Sequence, residues 1–138
     1  MKLSDILQNL ESQIETALSN ARSSNTEPLK YFNYVQKESD LLKDGNYILL
    51  RVTHIASKDV LINSMDYFDI EISFAIKSLN RGQDSMKHLL NATIEISKII
   101  HKFVIDNQIN SSDLSCNWNP ELFGFEGKKI LKNVLITQ

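Results

Sequence analysis

Tyr67-Phe68-Asp69-Ile70-Glu71-Ile72-Ser73-Phe74-Ala75-Ile76-Lys77 alternates with a period of two. Phe68, Ile70, Ile72, Phe74 and Ile76 fall on one side, and Asp69, Glu71, Ser73, Ala75 and Lys77 on the other. Successive side chains of an extended strand point to opposite faces, so the stretch predicts a strand with an apolar face on a core and a second face toward solvent. Strands of that kind build antiparallel sheets covered on one side. Upstream, Val60-Leu61-Ile62 is either the start of this strand or a separate short strand across a bulge. Ala56-Ser57-Lys58-Asp59 turns the chain, and before it, in residues 47–54, Ile48, Leu50 and Val52 alternate with Leu49, Arg51 and Thr53, a second strand. Residues 36–46 are a polar connection ending in the turn signal Asp44-Gly45-Asn46. Residues 29–35 carry Tyr31, Phe32 and Tyr34 and suit a third short strand.

Helices flank this group. In residues 4–22, Leu3, Leu7, Leu10, Ile14, Ala17 or Leu18, and Ala21 recur at helical spacing, with Gln8, Asn9, Glu11, Gln13 and Glu15 opposite. Ser4 suits the N-cap, and Ser23-Ser24-Asn25 followed by Pro28 ends the helix. Beyond the loop Leu79-Asn80-Arg81-Gly82-Gln83, Asp84 or Ser85 caps a second helix. Its wide apolar stripe is Met86, Leu89, Leu90, Ile94, Ser97, Ile100, Phe103 and Val104, which should lie on the sheet. After Asn107 the helical period is lost. Asn110-Ser111-Ser112 opens a polar loop toward Leu114, Cys116 and Trp118, and Asn119-Pro120 marks a turn. Leu122-Phe123-Gly124-Phe125 and residues 130–136 then predict a terminal hairpin joined around Glu126-Gly127-Lys128. The order is one helix, three strands, one helix, two strands. It indicates a single α+β domain over residues 1–138: an antiparallel sheet with two amphipathic helices on one face, plus a C-terminal hairpin.

The 138 residues are 42% hydrophobic, 8% aromatic and 23% charged, an ordinary globular composition. A chain of this length buries roughly 65 to 70% of its unfolded surface and needs no disulfide, which its one cysteine could not form internally. Fifteen basic and seventeen acidic residues give a net charge of -2, which argues against constitutive binding of nucleic acid or anionic membranes. The N-terminal stretch runs into an amphipathic pattern containing Glu11 and Glu15 and has no apolar signal-peptide core, so a cytoplasmic site of synthesis and residence is the expectation.

No catalytic, cofactor-binding or metal-binding residue is assigned. His88 and His101 share a helix but lie thirteen residues apart, about 20 Å by helix rise, too far to hold one ion. His54 ends a strand without a ligand at useful spacing. Cys116, in Ser-Cys-Asn-Trp, matches no nucleophile motif and reads as a small half-buried residue beside Trp118. Asp66, Asp69 and Glu71 read as a solvated face. Asn80-Arg81-Gly82-Gln83 before Asp84 reads as a turn and cap rather than an anion site. Lys128, Lys129 and Lys132 read as a solubilising hairpin tip.

The C-terminal segment is richer in apolar residues than a half-solvated sheet requires. Ile130, Val134 and Ile136 occupy one face, Leu131 and Leu135 the other, and Phe123 and Phe125 lie upstream. Either the chain covers this hairpin itself or Phe123, Phe125, Leu131 and Leu135 form a subunit or partner interface.

The N-terminal amphipathic helix, the aromatic strand, the long pair of strands including Phe68-Asp69-Ile70-Glu71-Ile72-Ser73-Phe74, the Asp84-Ser85-Met86 helix, the Trp-containing turn and the late strand at residues 130–137 together resemble the tail terminator proteins of long-tailed bacteriophages. The resemblance spans most of the chain and rests on size, order and texture rather than a motif, so it transfers no site residue. It implies a non-enzymatic structural protein that caps the head-proximal end of the tail tube as a homohexameric ring. Its partners would be itself, the tail tube protein and a head-completion or neck protein. DNA would pass through the lumen without specific binding, and the protein would reside in the virion tail after assembly in the host cytoplasm. Another head-to-tail connector, or the cap of an injection particle, is a related reading. The alternatives from other classes are a small α+β ligand-binding or adaptor module with a pocket around Tyr31, Tyr34 and Trp118, and an enzyme with a tertiary site of His54, Cys116 and a carboxylate.

Overall fold

The computed structural model describes residues 3–57, 67–79 and 82–136. Helix α1 spans Leu3–Ser24, and strands β1 (Asn33–Tyr34), β2 (Tyr47–Ser57) and β3 (Tyr67–Lys77) follow. Helix α2 spans Gln83–Asp106, and β4 (Asn110–Ser111), β5 (Ser115–Asn119) and β6 (Gly124–Leu135) complete an α+β fold. The six strands form one sheet in the order β1-β2-β3-β6-β4, with β5 also on β6. Only β1 runs parallel to its neighbour β2; the other pairings are antiparallel. Val60-Leu61-Ile62, Asp66, Asn80, Arg81 and Thr137 lie outside the described residues.

The core lies between the helices and one sheet face. Ile6, Leu10, Ile14, Leu18 and Ala21 of α1 and Leu89, Ala92, Ile96, Ile100 and Phe103 of α2 meet Ile48, Leu50, Ile70, Ile72, Phe74 and Ile76. Each large apolar side chain so buried contributes about 1.5–3 kcal/mol. The apolar face predicted for residues 67–77 holds, with Ile70, Ile72, Phe74 and Ile76 buried, whereas Ser73 and Ala75 on the second face are buried too instead of meeting solvent. On α1 the stripe includes Ile6, while Leu7 and Ala17 pack only at its edge. Ser4 sits inside the helix, which already includes Leu3, rather than capping it. Asn25 adopts φ 54 and Thr26 N–H donates to the Ala21 carbonyl at 2.8 Å, a left-handed stop where the sequence placed one.

Several expectations are corrected. Residues 29–35 hold a 3₁₀ turn at Leu29–Tyr31 and only two strand residues. The polar connection contains a second 3₁₀ turn, Glu38–Leu42, whose Leu41 packs on Leu49 and Ala75 on the sheet face opposite the helices. Helix α2 is entered through Gly82 without a side-chain cap, so neither Asp84 nor Ser85 caps it. The C-terminal hairpin exists, but its strands are β5 and β6, joined by the Asn119-Pro120 turn. Asn119 Oδ1 accepts from the N–H groups of Glu121 (3.1 Å) and Leu122 (3.3 Å), so the side chain closes that turn.

Gly127 therefore lies in mid-strand rather than in a turn, opposite Phe74. A Cβ there would stand 2.4 Å from the Phe74 ring, so glycine lets the ring lie across β6. The simple alternation read into residues 130–136 also fails. An extra residue bulges β6 between Leu131, opposite Ile70, and Val134, opposite Phe68. Asn133 takes φ 52, and its N–H donates to Asp69 Oδ1 at 3.0 Å. Leu131 shares the core face with Gly127 and Lys129 by strand parity and is fully buried, and the bulge brings Val134 onto that face as well.

Candidate functional site

The pairing Ile76-Phe125-Trp118 and Phe74-Gly127-Cys116 places Cys116 and Trp118 on the helix-bearing face of the sheet. The residues of β5 are nonetheless exposed or half-exposed. The sheet extends beyond the helices at this edge. On α2 the residues facing the gap are Leu90, Ile94, Ser97, His101 and Ile105, spaced by three or four and so aligned along one flank. Leu90, Ile94 and Ile105 remain 48%, 45% and 59% exposed. The wide stripe expected of α2 is thus two stripes: the one on the core, and this second one without cover from its own chain.

Between that flank and the β4–β5 edge lies a groove of about 930 Å³. Phe125, Cys116 and Leu114 line it from the sheet side, and Ser112 and Asp113 from the β4–β5 connection. Trp118 continues the apolar surface, packing edge-on at 5.1 Å against both Phe123 and Phe125. Lys129 also lines the groove although only 7% exposed, since it lies on the helix-bearing face opposite Ile72. Its Nζ donates to the Ser112 carbonyl at 2.7 Å. Ser112 is itself fixed by Ile130: its N–H donates to the Ile130 carbonyl and its Oγ accepts from the Ile130 N–H, both at 2.9 Å. Of the charged lining, Lys98 pairs with Glu95 at 3.2 Å and Lys129 is buried on the Ser112 carbonyl, and Lys102 and Asp113 complete it, so the groove is mainly apolar.

The other candidate residues separate. Of the four interface candidates, Phe125 joins the groove and Phe123 is half-buried beside Trp118. Leu131 is covered by its own chain and leaves the set. Leu135 pairs with Tyr67 across β3 and β6, next in sequence to the core-facing Val134, and so lies on the opposite sheet face. Lys128, Lys129 and Lys132 form no hairpin tip: Lys129 turns inward, and Lys128, next along the strand, stands 4.0 Å from Glu71 on the outer face. That outer face is mixed: beside Leu49, Ala75, Ile130 and Leu135, Arg51 Nε donates to Ser73 Oγ at 3.1 Å and its guanidinium pairs with Glu38 and Glu126. Glu71 accepts from Thr53 Oγ1 at 2.7 Å, a solvated arrangement.

Tyr31, Tyr34 and Trp118 do not share a pocket. Tyr34 belongs to β1 at one end of the sheet and Trp118 to β5 near the other. Tyr31 turns to His88, with ring centroids 4.7 Å apart, and its hydroxyl donates to Glu27 at 2.5 Å. That bond lowers the Glu27 carboxyl pKa and raises that of the Tyr31 phenol. His54 and Cys116 fall on opposite sheet faces, His54 opposite Glu71 and Cys116 opposite Gly127, so no site joins them. Cys116 shares the groove with His101 instead. Burial raises the Cys116 thiol above its ordinary pKa, against a smaller lowering by Ser97, so little thiolate forms near neutral pH. Among the described residues no group of three His, Cys, Asp or Glu is placed to hold a metal ion. None of the helices described is long and apolar enough to cross a membrane.

Sequence reasoning missed Lys129, Ile105 and the second stripe. The available signal was the breadth of the α2 apolar arc, wider than one core contact uses. Comparison with known protein families and with characterised proteins finds no match.

Proposed function

We propose that the chain is a non-enzymatic assembly protein that associates with copies of itself into a ring. Its role is that of a tail terminator, capping the head-proximal end of a phage tail tube and offering a surface to a head-completion or neck protein. The observation that carries this reading is the uncovered α2 flank facing β5: Leu90, Ile94 and Ile105 beside Phe125 and Trp118 make an apolar surface that a monomer leaves in water. These three aliphatic side chains are already about half covered, so burying the remainder against a neighbour contributes about half of the 1.5–3 kcal/mol of a full burial for each. The order of helices and long strands on which the resemblance to tail terminators rests is kept in the α+β fold.

A second reading rests on the groove itself. Its volume of about 930 Å³ suits a small molecule, and the ammonium of Lys129 supplies one polar anchor in an apolar lining. Native mass spectrometry over a range of concentrations separates the two. The assembly reading expects a discrete six-subunit species without adducts. A monomer carrying a stoichiometric adduct replaces it with the binding module, and a bare monomer at every concentration overturns ring formation by the free protein.

A further inference from the structure

An open sheet has two edges, and each presents backbone N–H and C=O groups that no neighbouring strand receives. At one edge β1 covers only Tyr47 and Ile48 of β2, so among the described residues the remainder of β2 pairs with β3 alone. After the bulge at Thr53 that remainder reads His54-Ile55-Ala56-Ser57. At the other edge β5, Ser115-Cys116-Asn117-Trp118-Asn119, pairs among the described residues with β6 alone. Free edges are ordinarily guarded by lysine or another charge, by proline or by a bulge. Neither stretch contains an acidic residue, a lysine, an arginine or a proline.

The two edges match face by face. Ile55 pairs with the core residue Ile70 and Trp118 with Phe125, so both lie on the helix-bearing face, where they remain 44% and 37% exposed. Their neighbours His54 and Asn119 lie on the outer face. The strand directions match as well. β2 and β6 both run antiparallel to β3, and β5 runs antiparallel to β6, so β5 and β2 point in opposite senses. With β3 and β6 between them, the two edges cannot pair within one molecule.

We infer that β5 of one copy pairs antiparallel with residues 54–57 of β2 in the next, Trp118 against Ile55, Asn117 against Ala56 and Asn119 against His54, so that one sheet runs on from copy to copy. This inference rests on the assembly reading and names the contact that builds the ring. Because the two edges differ, the contact is head-to-tail, the kind that closes into a ring when the rotation per subunit permits. β5 lies toward the Tyr47 end of the sheet and residues 54–57 toward the other, so neighbours are staggered along their strands, as closure of a sheet requires. Ile55 of the neighbour then adds to the apolar surface that Trp118 and Phe125 form.

Amide hydrogen exchange of the wild-type protein, followed from low to high concentration, is expected to slow by at least about tenfold in residues 54–57 and 115–119. In parallel, full-length protein with Ala56→Cys and Asn117→Cys in a Cys116→Ser background, treated with a mild oxidant, is expected to give a ladder of disulfide-linked species, since directly opposed residues meet the spacing a disulfide needs. Either new cysteine alone is expected to give none. Ile55→Lys, which places a guard on the edge at a residue already 44% exposed, is expected to raise the concentration of half-assembly about tenfold while the circular dichroism of the monomer stays that of wild type. If wild type assembles but neither segment gains protection and no ladder forms, the contact is overturned while the ring reading survives. A disulfide dimer of the protein with Asn117→Cys and Cys116→Ser alone also overturns it, because that product reports two β5 strands side by side about a two-fold axis. A wild-type chain that stays monomeric throughout, with no ladder from the doubly substituted chain, overturns both.

Discussion

Tyr34 ties the first helix to the sheet through one hydroxyl. Its Oη donates to the Glu11 carboxylate at 2.9 Å and accepts from the Leu50 N–H at 3.4 Å. Burial, and then the bond to Glu11, push the phenol pKa far above its ordinary value. A folded pKa above the unfolded one means stability that is fully present below about pH 10 and is lost as the pH rises further, because the unfolded chain ionises Tyr34 first. Tyr34→Phe should therefore lower stability by about 1–2 kcal/mol near neutrality. The difference from wild type should narrow above about pH 10, measured by urea unfolding at both pH values. A gap that does not change with pH would show that the hydroxyl acts by packing alone. Lys129 makes the same point about position. In sequence it is one of a run of lysines, yet strand parity aims it at the helix-bearing face, where its ammonium donates to the Ser112 carbonyl.

At the scale of elements, β6 and α2 hold the most information. The twelve residues of β6 include two glycines, and Gly127 was read as a turn because glycine usually marks one. The ring of Phe74, fully buried on the neighbouring strand, requires the missing side chain instead. Gly127→Ala should destabilise the protein by about 1–3 kcal/mol, since the ring has no free space to enter. Adding Phe74→Leu should restore part of that loss, and thermal unfolding of the single and double variants measures both. Equal melting of the double variant and Gly127→Ala would place the strain elsewhere. In α2 the core stripe and the groove stripe overlap in helical period, so the apolar pattern located the helix correctly but merged its two surfaces. Its end at Asp106 was visible in the lost periodicity, whereas its start was not, because Gly82 enters the helix without the side-chain cap that Asp84 or Ser85 suggested.

For the whole molecule, the charge of -2 is less telling than where the charges stand. Several stand in pairs: Glu38 with Arg51, Asp40 with Lys43 at 3.3 Å, Glu95 with Lys98 at 3.2 Å and Glu71 with Lys128 at 4.0 Å. Self-association through the apolar α2 flank should therefore persist as salt shortens the Debye length from about 10 Å at 0.1 M to about 3 Å at 1 M. Sedimentation of wild type in increasing sodium chloride is expected to show a half-assembly concentration that is unchanged or falls. A severalfold rise would assign part of the contact to ion pairs between subunits. With its apolar flank covered in a ring, each subunit would present the outer face, with Arg51, Glu71 and Lys128, to its surroundings.

Local periodicity determined both helices, the two long strands and the α+β class, because side chains at spacings of two or three to four must share a face whatever the rest of the chain does. The end of α1 at Asn25 and the turn at Asn119-Pro120 were legible for a similar reason, since they depend on residues within a few positions of one another. Register was not local. The bulge at Asn133 answers to Asp69, sixty-four residues away, and it brings Val134 onto the face that Leu131 already occupies, so that both are core. The groove is likewise a product of three separate elements, and it exists because the sheet is wider than two helices can cover. No window of sequence contains that excess width, so the exposure of Ile94 and Ile105 and the burial of Lys129 were decided only when the elements packed.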